Sequence, residues 1–574
     1  MSESRQGIAS TDDTSINLPS DVPTVLRPGP VITRSTWPAL ELGGGPQSVH
    51  IVCIGGAGMS AIARLAVQAG LKVSGSDPLE GRFIGLLREA GADIAIGFHT
   101  DNVPDDVDIL AVSSAVRPDN PEVKRAHDLG IPVVHRAAAL AGLLAGRRTL
   151  IVAGTHGKTT TTAMSVMALR GGMTGQHQPD SDLSGSPHDP AFAVGAAVPD
   201  LGHNAYLGTG QFAVIEADES DASFIAYAPQ VIVVTNVEAD HLDHYGDEHT
   251  MLRAYDALVA RLPESGHLVV CIDDPGAAAL GQRAQSLGCQ VVSYGTSAQA
   301  QWRIHDIYET PQGVCATVQA PGTQSPFTLR LAVHGRHNAL NAVGALAGTA
   351  LLQPERDLND LAAGLARFHG AARRFEAKGE SGGVRVYDDY AHHPREVAAT
   401  IVAARGIVAQ PDGQPVQAGL GSAAANADVA NAAAANVDTE RQRDSSAGNS
   451  AHGRVLAVFQ PHLFSRTRAF AAEFAQALAL ADKAWVLPVY AAREDIDDTV
   501  DASTITQALP GAVEGLVALT RREDLPALVA EVARPGDVLL MMGAGDITDD
   551  TEPVLAALGR AAAQRAPEGG GSRR

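Results

Sequence analysis

A glycine-rich bend followed by a lysine and a row of threonines is the part of this sequence best suited to chemistry. The bend lies between a short apolar run at residues 150–152 and a stretch able to begin a helix. Backbone N–H groups in such a bend approach phosphate oxygens, and the N-terminus of the following helix adds its dipole. Lys158 is placed to bridge the β- and γ-phosphates of a nucleotide, and the Thr159 hydroxyl to bind Mg²⁺. The predicted phosphate-contacting residues are Gly154, Thr155, His156, Gly157, Lys158, Thr159 and Thr160.

The match to a phosphate-binding loop is incomplete. Val152 stands where the strict pattern requires glycine, although the remaining positions keep the layout of strand, bend and helix. Taken alone, the segment is also compatible with an ordinary strand–turn–helix corner, so the interpretation depends on what surrounds it in the fold.

A second glycine turn lies upstream, where Gly56-Ala-Gly-Met-Ser-Ala fits the pattern G-x-G-x-x-A after a strand. Asp77 follows Gly58 by 19 residues, close to the position of a ribose-binding acid. The literal interpretation is a nicotinamide dinucleotide site, the broader one is a nucleotide diphosphate at a helix N-terminus, and the simplest is glycine packing alone. The candidate nucleotide-contacting residues are Gly55, Gly56, Ala57, Gly58, Met59, Ser60, Ser76, Asp77, Ser113 and Ser114.

Acidic and imidazole side chains follow two further predicted strands. Mg²⁺ prefers a few carboxylates, a hydroxyl and phosphate oxygens, so Thr159, Glu216 and His241 are predicted to form a partial magnesium shell. One alternative is a zinc or dinuclear hydrolase site, and another is simple helix capping. The residues of the zinc alternative are Asp240, His241, Asp243, His244 and His249.

Later clusters add polar and cationic groups at predicted strand ends or helix starts. His337, Asn338 and Asn341 suit a purine edge or a ribose, with helix capping as the alternative. Arg373 lies beside Arg374 and Phe375, which form either a stacking and cationic site or a solvated basic pair. A guanidinium such as that of Arg466 matches a carboxylate geometrically. The remaining candidates, in an Asp-Tyr-Ala-His-His-Pro turn, are Asp389, Tyr390 and His392.

Strands alternating with helices must position these groups, which indicates α/β domains with parallel sheets. Ligand-binding residues then collect at the carboxyl ends of the strands. We expect a Rossmann-like domain at 47–146, a central P-loop ATPase-like domain at 147–369 with an insertion at 171–190, and a Rossmann-like domain at 370–565. Segments 1–46, 410–452 and 566–574 are expected to be disordered. The predicted strands are residues 48–54, 71–74, 108–114, 131–134, 212–218, 231–236, 267–272, 384–390 and 454–459, with a helix near 121–129.

Composition excludes several classes of protein. The chain has 574 residues, with 43 basic and 65 acidic ones, for a net charge of −22. A uniform negative field repels polyanions, so neither nucleic acid nor an anionic membrane is an expected partner. The four cysteines are scattered, no apolar run reaches the ~18 residues of a membrane span, and no secretory signal is evident. We therefore expect a cytoplasmic protein without membrane insertion.

Taken together, the motifs resemble those of the Mur ligases, in order from about residue 48 to 560. They are Gly55-Gly-Ala-Gly-Met-Ser, Gly154-Thr-His-Gly-Lys-Thr, Glu216-Ala-Asp-Glu-Ser-Asp, Thr235-Asn-Val-Glu-Ala-Asp-His, His337-Asn-Ala-Leu-Asn and Asp389-Tyr-Ala-His-His-Pro. The resemblance is greatest to alanine-adding members. It implies that ATP phosphorylates the lactyl carboxylate of UDP-N-acetylmuramate and that L-alanine then attacks the acyl phosphate, with Mg²⁺ as cofactor. The shorter glycine loop is also a feature of that family.

By the same resemblance, Lys158, Glu216, His241 and His392 are the expected catalytic residues. Glu216 and His241 correspond to Mg²⁺ ligands, and Tyr390, His392 and Arg466 to the alanine end. His337, Asn338, Asn341, Arg373 and Asp389 correspond to ATP-site residues. Leu463 stands where some relatives have arginine, so Arg466 is expected to hold the alanine carboxylate without that second cation. Either a monomer or a homodimer is compatible with the sequence. A peptide-attaching ligase, a nicotinamide-dependent oxidoreductase and a non-catalytic nucleotide switch remain as alternatives.

Overall fold

The computed structural model describes residues 46–565 apart from 82, 172–187, 311, 409–415, 418–452, 493 and 510–514. Nearly all of the predicted extension 1–46, most of the insertions 171–190 and 410–452, and the tail 566–574 lie outside the described residues. The α/β prediction is confirmed: three sheets follow one another along the chain, each with helices packed on it. Among the described residues no helix is both long and apolar enough to span a lipid bilayer.

The first sheet is parallel throughout, with the order β3-β2-β1-β4-β5. Its strands are β1 (Ser48–Val52), β2 (Lys72–Asp77), β3 (Asp93–Ile96), β4 (Ile109–Val112) and β5 (Val133–His135). Its helices are α1 (Ala57–Gln68), α2 (Ile84–Glu89), α3 (Pro121–Leu129) and α4 (Arg136–Leu143). β1 and β4 are buried over nearly their whole length, as expected for parallel strands covered on both faces. The order changes direction between β1 and β4, so the glycine turn after β1 lies at the topological switch point where such sheets bind ligands.

The middle sheet runs in the order β15-β14-β13-β12-β11-β10-β6-β9-β7-β8 among the described residues. Its strands are β6 (Arg148–Ala153), β7 (Ala191–Ala193), β8 (Ala205–Tyr206), β9 (Phe212–Glu216), β10 (Val231–Val234), β11 (His267–Cys271), β12 (Gln290–Gly295), β13 (Trp302–Thr310), β14 (Gly313–Gln319) and β15 (Phe327–Arg330). β8 pairs antiparallel with β7 at one edge, the strands from β7 across to β13 in the sheet order are parallel, and β13 to β15 form an antiparallel meander at the other edge. Its helices are α5 (Lys158–Arg170), α6 (Leu242–Tyr245), α7 (Glu248–Val259), α8 (Pro275–Ser286), α9 (Arg336–Leu352) and α10 (Leu358–Leu365).

The third sheet has the order β16-β17-β22-β19-β20-β21, with only β16 antiparallel among its described strands. Its strands are β16 (Glu376–Ser381), β17 (Val384–Asp389), β19 (Val455–Phe459), β20 (Lys483–Val486), β21 (Leu516–Ala518) and β22 (Val538–Met542). Its helices are α11 (Pro394–Val408), α12 (Phe464–Ala469), α13 (Ala471–Leu478), α14 (Ala502–Thr506), α15 (Leu525–Val532) and α16 (Thr551–Arg565). β18 (Val416–Gln417) lies in the predicted insertion 410–452 and pairs with β13 of the middle sheet.

The predicted elements are largely correct in place and differ at their ends. The helix predicted at 121–129 is α3, and most predicted strands end one or two residues earlier than expected. Cys53, predicted to lie in the first strand, has a φ of 59° and belongs to the turn instead. After several of these strands one further backbone N–H still bonds to the adjacent strand, as Ala217 does to Val152 and Thr235 to Ala153, and the chain then turns into a loop. Those loops form the site.

Candidate active site

The loop after β6 is held against two neighbouring segments of the middle domain. Gly154 has a φ of 131° and Gly157 a φ of 81°, and both values favour glycine. A Cβ on Gly154 would lie 2.2 Å from Thr235 Oγ1, and one on Gly157 would lie 2.7 Å from Asn341 Oδ1. The Thr235 hydroxyl also donates to the carbonyl of His156 at 2.6 Å. Close backbone approach therefore requires both glycines, which is the property of a phosphate-binding loop.

Lys158 is enclosed by the loop that precedes it. Its ammonium donates to the carbonyl oxygens of Gly154 at 2.7 Å and Thr155 at 2.9 Å, and to Glu219 Oε1 at 2.8 Å. Burial would lower the pKa of Lys158, but the nearby carboxylate of Glu219 outweighs it and the pKa is raised. The second oxygen of Glu219, Oε2, is buried and has no hydrogen-bond partner among the described residues. A fixed positive charge thus stands at the centre of the loop.

A hydroxyl and a carboxylate meet beside this charge. Thr159 Oγ1 donates to Glu216 Oε1 at 2.8 Å, and the backbone N–H of Gly195 donates to Glu216 Oε2 at 2.6 Å. One hydroxyl and one carboxylate next to a phosphate loop are the donor set that Mg²⁺ uses when phosphate oxygens and water complete its shell. The residues present therefore fit a magnesium ion bound with a nucleotide.

The third predicted magnesium ligand, His241, lies beside different acids. Its Nε2 is 3.6 Å from Glu219 Oε1 and 3.7 Å from Asp240 Oδ2. Burial would lower the pKa of His241, but the adjacent carboxylates raise it. Thr159 and Glu216 are hydrogen-bonded to each other. His241 instead lies beside Glu219, the carboxylate that also binds Lys158. Among the described side chains, which leave out that of Asp243, the group with metal-ligand spacing is His156, Glu238 and His393 rather than members of the zinc alternative.

Side chains of the third domain close over the loop of the middle domain. The contacts are Arg374 Nη2 to Thr159 Oγ1 at 3.5 Å, Glu396 Oε1 to His156 Nδ1 at 3.0 Å, Arg466 Nη2 to Asp240 Oδ1 at 3.2 Å, and an ion pair between Arg395 and Glu238. The Arg466 and Asp240 side chains are nine-tenths buried, so this contact excludes water. The candidate active site is the cleft between the two sheets.

The Asp-Tyr-Ala-His-His-Pro turn is stiffened from within. Asp389 accepts the backbone N–H of Phe375 at 2.7 Å and of Ala391 at 2.8 Å, and burial raises its pKa to about 6. The guanidinium groups of Arg373 and Arg374 lie 4.9 Å and 5.2 Å from the centre of the Tyr390 ring, a cation–π arrangement. The turn therefore presents two arginines and an aromatic ring in a fixed relation.

His392 and the helix α9 residues complete the predicted set. Burial lowers the pKa of His392 to about 3, so its ring is neutral at physiological pH. Burial also lowers the pKa of His337. Asn338 Nδ2 donates to the carbonyl of His334 at 2.6 Å, and Asn341 Nδ2 to Asn338 Oδ1 at 3.3 Å. Asn341 thereby supports the loop at Gly157, while Asn338 ties the first turn of α9 to the carbonyl of His334.

The upstream glycine turn is closed by the predicted acid, because the backbone N–H of Gly55 donates to Asp77 Oδ2 at 2.9 Å. Met59, Ser60 and Ser76 are buried, so they build the turn rather than line its surface. Ser114, at the edge of the same crevice, donates to Asp221 Oδ2 at 2.8 Å. The first and middle domains therefore meet beside this turn.

Family comparisons follow the same three-part division. The model of the Mur ligase family catalytic domain matches residues 48–148, that of the Mur ligase middle domain matches 152–349, and that of the Mur ligase glutamate ligase domain matches 373–447 and 420–545. The chain belongs to the Mur ligase family.

Curated relatives of this Mur ligase share its length as well as its motifs. It is 44% identical over 512 residues to the UDP-N-acetylmuramate–L-alanine ligase of Paenarthrobacter aurescens, which covers 89% of this chain and 97% of that one. It is 42% identical over 520 residues to the enzyme of the same name from Mycobacterium marinum, with 89% and 95% covered. The crystal structure of the UDP-N-acetylmuramate-alanine ligase of Thermotoga maritima has the same fold, with a TM-score of 0.66 at 24% identity over 89% of this chain and 98% of that one.

Several polar residues of this Mur ligase site were given no role from the sequence, although Asp218, Glu219 and Asp221 lie in the Glu-Ala-Asp-Glu-Ser-Asp motif noted there. Glu219 holds Lys158, and Glu396 holds His156 while accepting the backbone N–H groups of His392 and His393. Arg136, at the start of α4, pairs with Asp218 at 2.8 Å and Asp221 at 3.2 Å. Glu396 follows the His-His-Pro turn at the spacing of a helix capping box, a signal the sequence does contain.

The pH dependence of domain docking should follow His156. Burial would lower its pKa, but Glu396 and Glu238 raise it from 6.5 to about 9. Because the pKa of His156 is higher in the folded protein than in the unfolded chain, protonated His156 stabilises the docked form. This stabilisation is complete below the unfolded-chain pKa of 6.5 and is lost as pH rises through about 9. We expect the difference in thermal midpoint between wild type and His156→Gln to shrink between pH 7 and pH 10. His127→Gln, at an exposed position of α3, is the matched control and should show no such trend.

Proposed function

We propose that this Mur ligase joins L-alanine to the lactyl carboxylate of UDP-N-acetylmuramate, with ATP as phosphoryl donor, in the synthesis of peptidoglycan precursors. The observation that carries the proposal is the enclosed Lys158 beside the Thr159–Glu216 pair, closed over by the arginines of the third domain. The relatives at 42% and 44% identity are UDP-N-acetylmuramate–L-alanine ligases, and they supply the acceptor and the amino acid of the proposal. ATP and a UDP-sugar are both cytoplasmic nucleotides, and we propose the same location for the enzyme.

The reaction divides into two displacements. An oxygen of the lactyl carboxylate attacks the γ-phosphorus of ATP, the bond to the β-bridging oxygen breaks, and ADP leaves with its electrons. The uncharged amine of alanine then attacks the acyl carbon, a proton passes from the nitrogen to solvent, and inorganic phosphate departs from the tetrahedral intermediate with the electrons of the C–O bond. Both partners in the first step are anionic, so the ammonium of Lys158 has to offset their repulsion. Thr159 and Glu216 would hold Mg²⁺, which when bound would supply further positive charge at the phosphates.

The roles of the third-domain residues follow from their protonation and contacts. A neutral imidazole with a pKa near 3 stores a proton poorly at neutral pH, so we assign His392 to hydrogen bonding with the amino acid rather than to general-base catalysis. Arg466 is proposed to bind the alanine carboxylate, which then replaces Asp240 as its partner. Tyr390, stacked on Arg373 and Arg374, borders the same space.

We assign the nucleotides to separate domains. The glycine turn after β1 and Asp77 are proposed to bind the UDP-sugar in the domain at 47–146. The loop at 154–160 and the start of α9 are proposed to bind ATP in the domain at 147–369. The domain at 370–565 then closes the cleft and brings the amino-acid site to the acyl phosphate. The hydrogen bonds between domains, from Ser114 to Asp221 and from Arg466 to Asp240, support that division.

Phosphate release is the direct test. We expect release that requires ATP, UDP-N-acetylmuramate and L-alanine together. Release with a tripeptide but not with alanine would instead identify a peptide-attaching ligase, and hydride transfer with NAD(P) an oxidoreductase. ATP binding without turnover on any sugar would leave a nucleotide switch. Competition with glycine and serine measures amino-acid choice, because one methyl group is worth only ~1–3 kcal/mol in a pocket.

Removing the charge of Glu216 should change the magnesium requirement. Glu216→Gln keeps the size and the contacts to Thr159 and Gly195 but supplies a neutral oxygen, so the Mg²⁺ concentration for half-maximal phosphate release should rise on the order of tenfold. Titration of Mg²⁺ at fixed ATP measures this shift. Glu355→Gln, at an exposed position, is the control, and an unchanged requirement in Glu216→Gln would remove this residue from the metal shell.

A further inference from the structure

A group of two imidazoles and one carboxylate lies where the third domain meets the phosphate loop, and none of the proposed steps uses it as a unit. It consists of His156 on the loop, Glu238 after β10, and His393 at the start of α11. One nitrogen or oxygen atom from each lies within 4.8 Å of the other two. Two residues come from the middle domain and one from the third, so the group exists only when the domains are docked.

His393 is the least explained member of the group. Its side chain is 94% buried, with a relative exposure of 6%, and neither ring nitrogen has a hydrogen-bond partner in the described part of the chain. A buried polar group without a partner is destabilising. Its ring centre lies 5.1 Å from that of His156. A neutral imidazole directed into a cluster of ligating atoms is the form that binds a metal ion.

The neighbours of the group are arranged as outer-shell partners. Glu396 Oε1 lies 3.0 Å from His156 Nδ1, which leaves His156 Nε2 directed at Glu238 Oε2, 3.6 Å away and without a hydrogen bond. A carboxylate on the far nitrogen of a ligating histidine is the usual support in zinc sites. Arg395 pairs with the other oxygen of Glu238, Oε1, so Oε2 remains for a ligand.

We propose that His156, Glu238 and His393 form a binding site for a divalent transition-metal ion of the zinc class, separate from the magnesium position at Thr159 and Glu216. Two nitrogens and one oxygen suit Zn²⁺ or Co²⁺ and leave one position for water, whereas Mg²⁺ prefers oxygen alone. Bonds of about 2.0–2.2 Å require the three side chains to draw together by small rotations. The bound ion displaces the proton of His156, which passes to solvent, and connects the middle and third domains.

Cobalt binding to the full-length protein tests the site without nucleotide or substrate. Chelator-treated protein lacking any histidine tag is titrated with Co²⁺ in excess Mg²⁺, and the visible d–d absorption of low-symmetry Co²⁺ is recorded. We expect one equivalent to bind and Zn²⁺ to displace it. His393→Gln and Glu238→Gln should each weaken binding at least about tenfold, and Glu396→Gln by about 10–100-fold through His156. His127→Gln should bind as wild type.

The outcomes separate a built site from scattered histidines. Absence of the band in wild type, or equal affinity in wild type, His393→Gln and Glu238→Gln, overturns the proposal. Circular dichroism establishes that each variant is folded; if one substitution prevents folding, the other two carry the test. None of these readouts depends on ligase turnover, so failure of the metal site leaves the proposed function unaffected, and the reverse also holds.

Discussion

Replacing Lys158 by alanine should lower kcat for phosphate release by about a hundred- to a thousandfold, the usual effect of losing a fixed group that stabilises transition-state charge. The ammonium of Lys158 lies inside the bend of the loop, within 2.9 Å of two of its carbonyl oxygens. Its loss leaves two anions to approach each other and also leaves Glu219 buried without its partner. Both effects oppose binding of the γ-phosphate. The measurement is steady-state phosphate release at saturating ATP.

The affinity for the UDP-sugar should remain nearly unchanged in the same variant. The glycine turn after β1 belongs to a different sheet, and Asp77 holds it without any contribution from Lys158. Equilibrium binding of the UDP-sugar in the absence of ATP measures this directly. Lys124→Ala, on an exposed turn of α3, is the matched control for loss of a lysine. A wild-type kcat in Lys158→Ala would contradict the assignment of the phosphate loop to the phosphoryl-transfer step.

Replacing Glu122 by alanine should destabilise the first domain by about 3–5 kcal/mol, the usual cost of removing one partner of a buried polar cluster. Glu122 is fully buried in α3 and accepts hydrogen bonds from several groups at once. The donors are His50 Nε2 at 3.3 Å, Ser76 Oγ at 2.5 Å, Asn102 Nδ2 at 2.7 Å and the backbone N–H of His99 at 3.3 Å. Alanine leaves these donors without an acceptor. Since Ser76 lies in the strand that leads to Asp77, the glycine turn should loosen as well.

Hydrogen exchange is the appropriate measurement for Glu122→Ala, because a multidomain chain does not unfold in one step. Peptides covering β1 and β2 should exchange faster, while those covering β19 and β22 should not change. Glu89→Ala, at an exposed position of α2, should alter stability by less than about 0.5 kcal/mol. Equal hydrogen exchange of β1 and β2 in Glu122→Ala and Glu89→Ala would show that the Glu122 hydrogen bonds contribute little to the stability of the first domain.

The sequence predicted the features that depend on neighbouring residues. The phosphate loop, the glycine turn with Asp77, and most buried strands follow from local patterns, and the structure places them as expected. The antiparallel meander β13–β15 was missed because β13 mixes polar residues such as Arg303, His305 and Asp306 among its buried ones, and a register shift after Ile304 interrupts the alternation.

Contacts between domains could not be predicted in the same way. Arg466 was expected to be available for a carboxylate, but the structure pairs it with Asp240, 226 residues earlier. Glu396 and His156 are 240 residues apart. Such pairs depend on how separately folded units dock, which no local pattern specifies. The residues that surround Lys158 and His156 therefore emerged only from the structure.

The pairing of Arg466 with Asp240 has a consequence for selectivity. The arginine carries an internal counter-ion, so an incoming carboxylate exchanges with Asp240 instead of displacing water. The net gain from that exchange is small for acetate or any other simple anion, because one ion pair replaces another. A ligand gains affinity only if it makes further contacts in the cleft. If Arg466 binds the amino-acid carboxylate as proposed, this exchange disfavours abundant small anions, which make no further contacts in the cleft, relative to the amino acid.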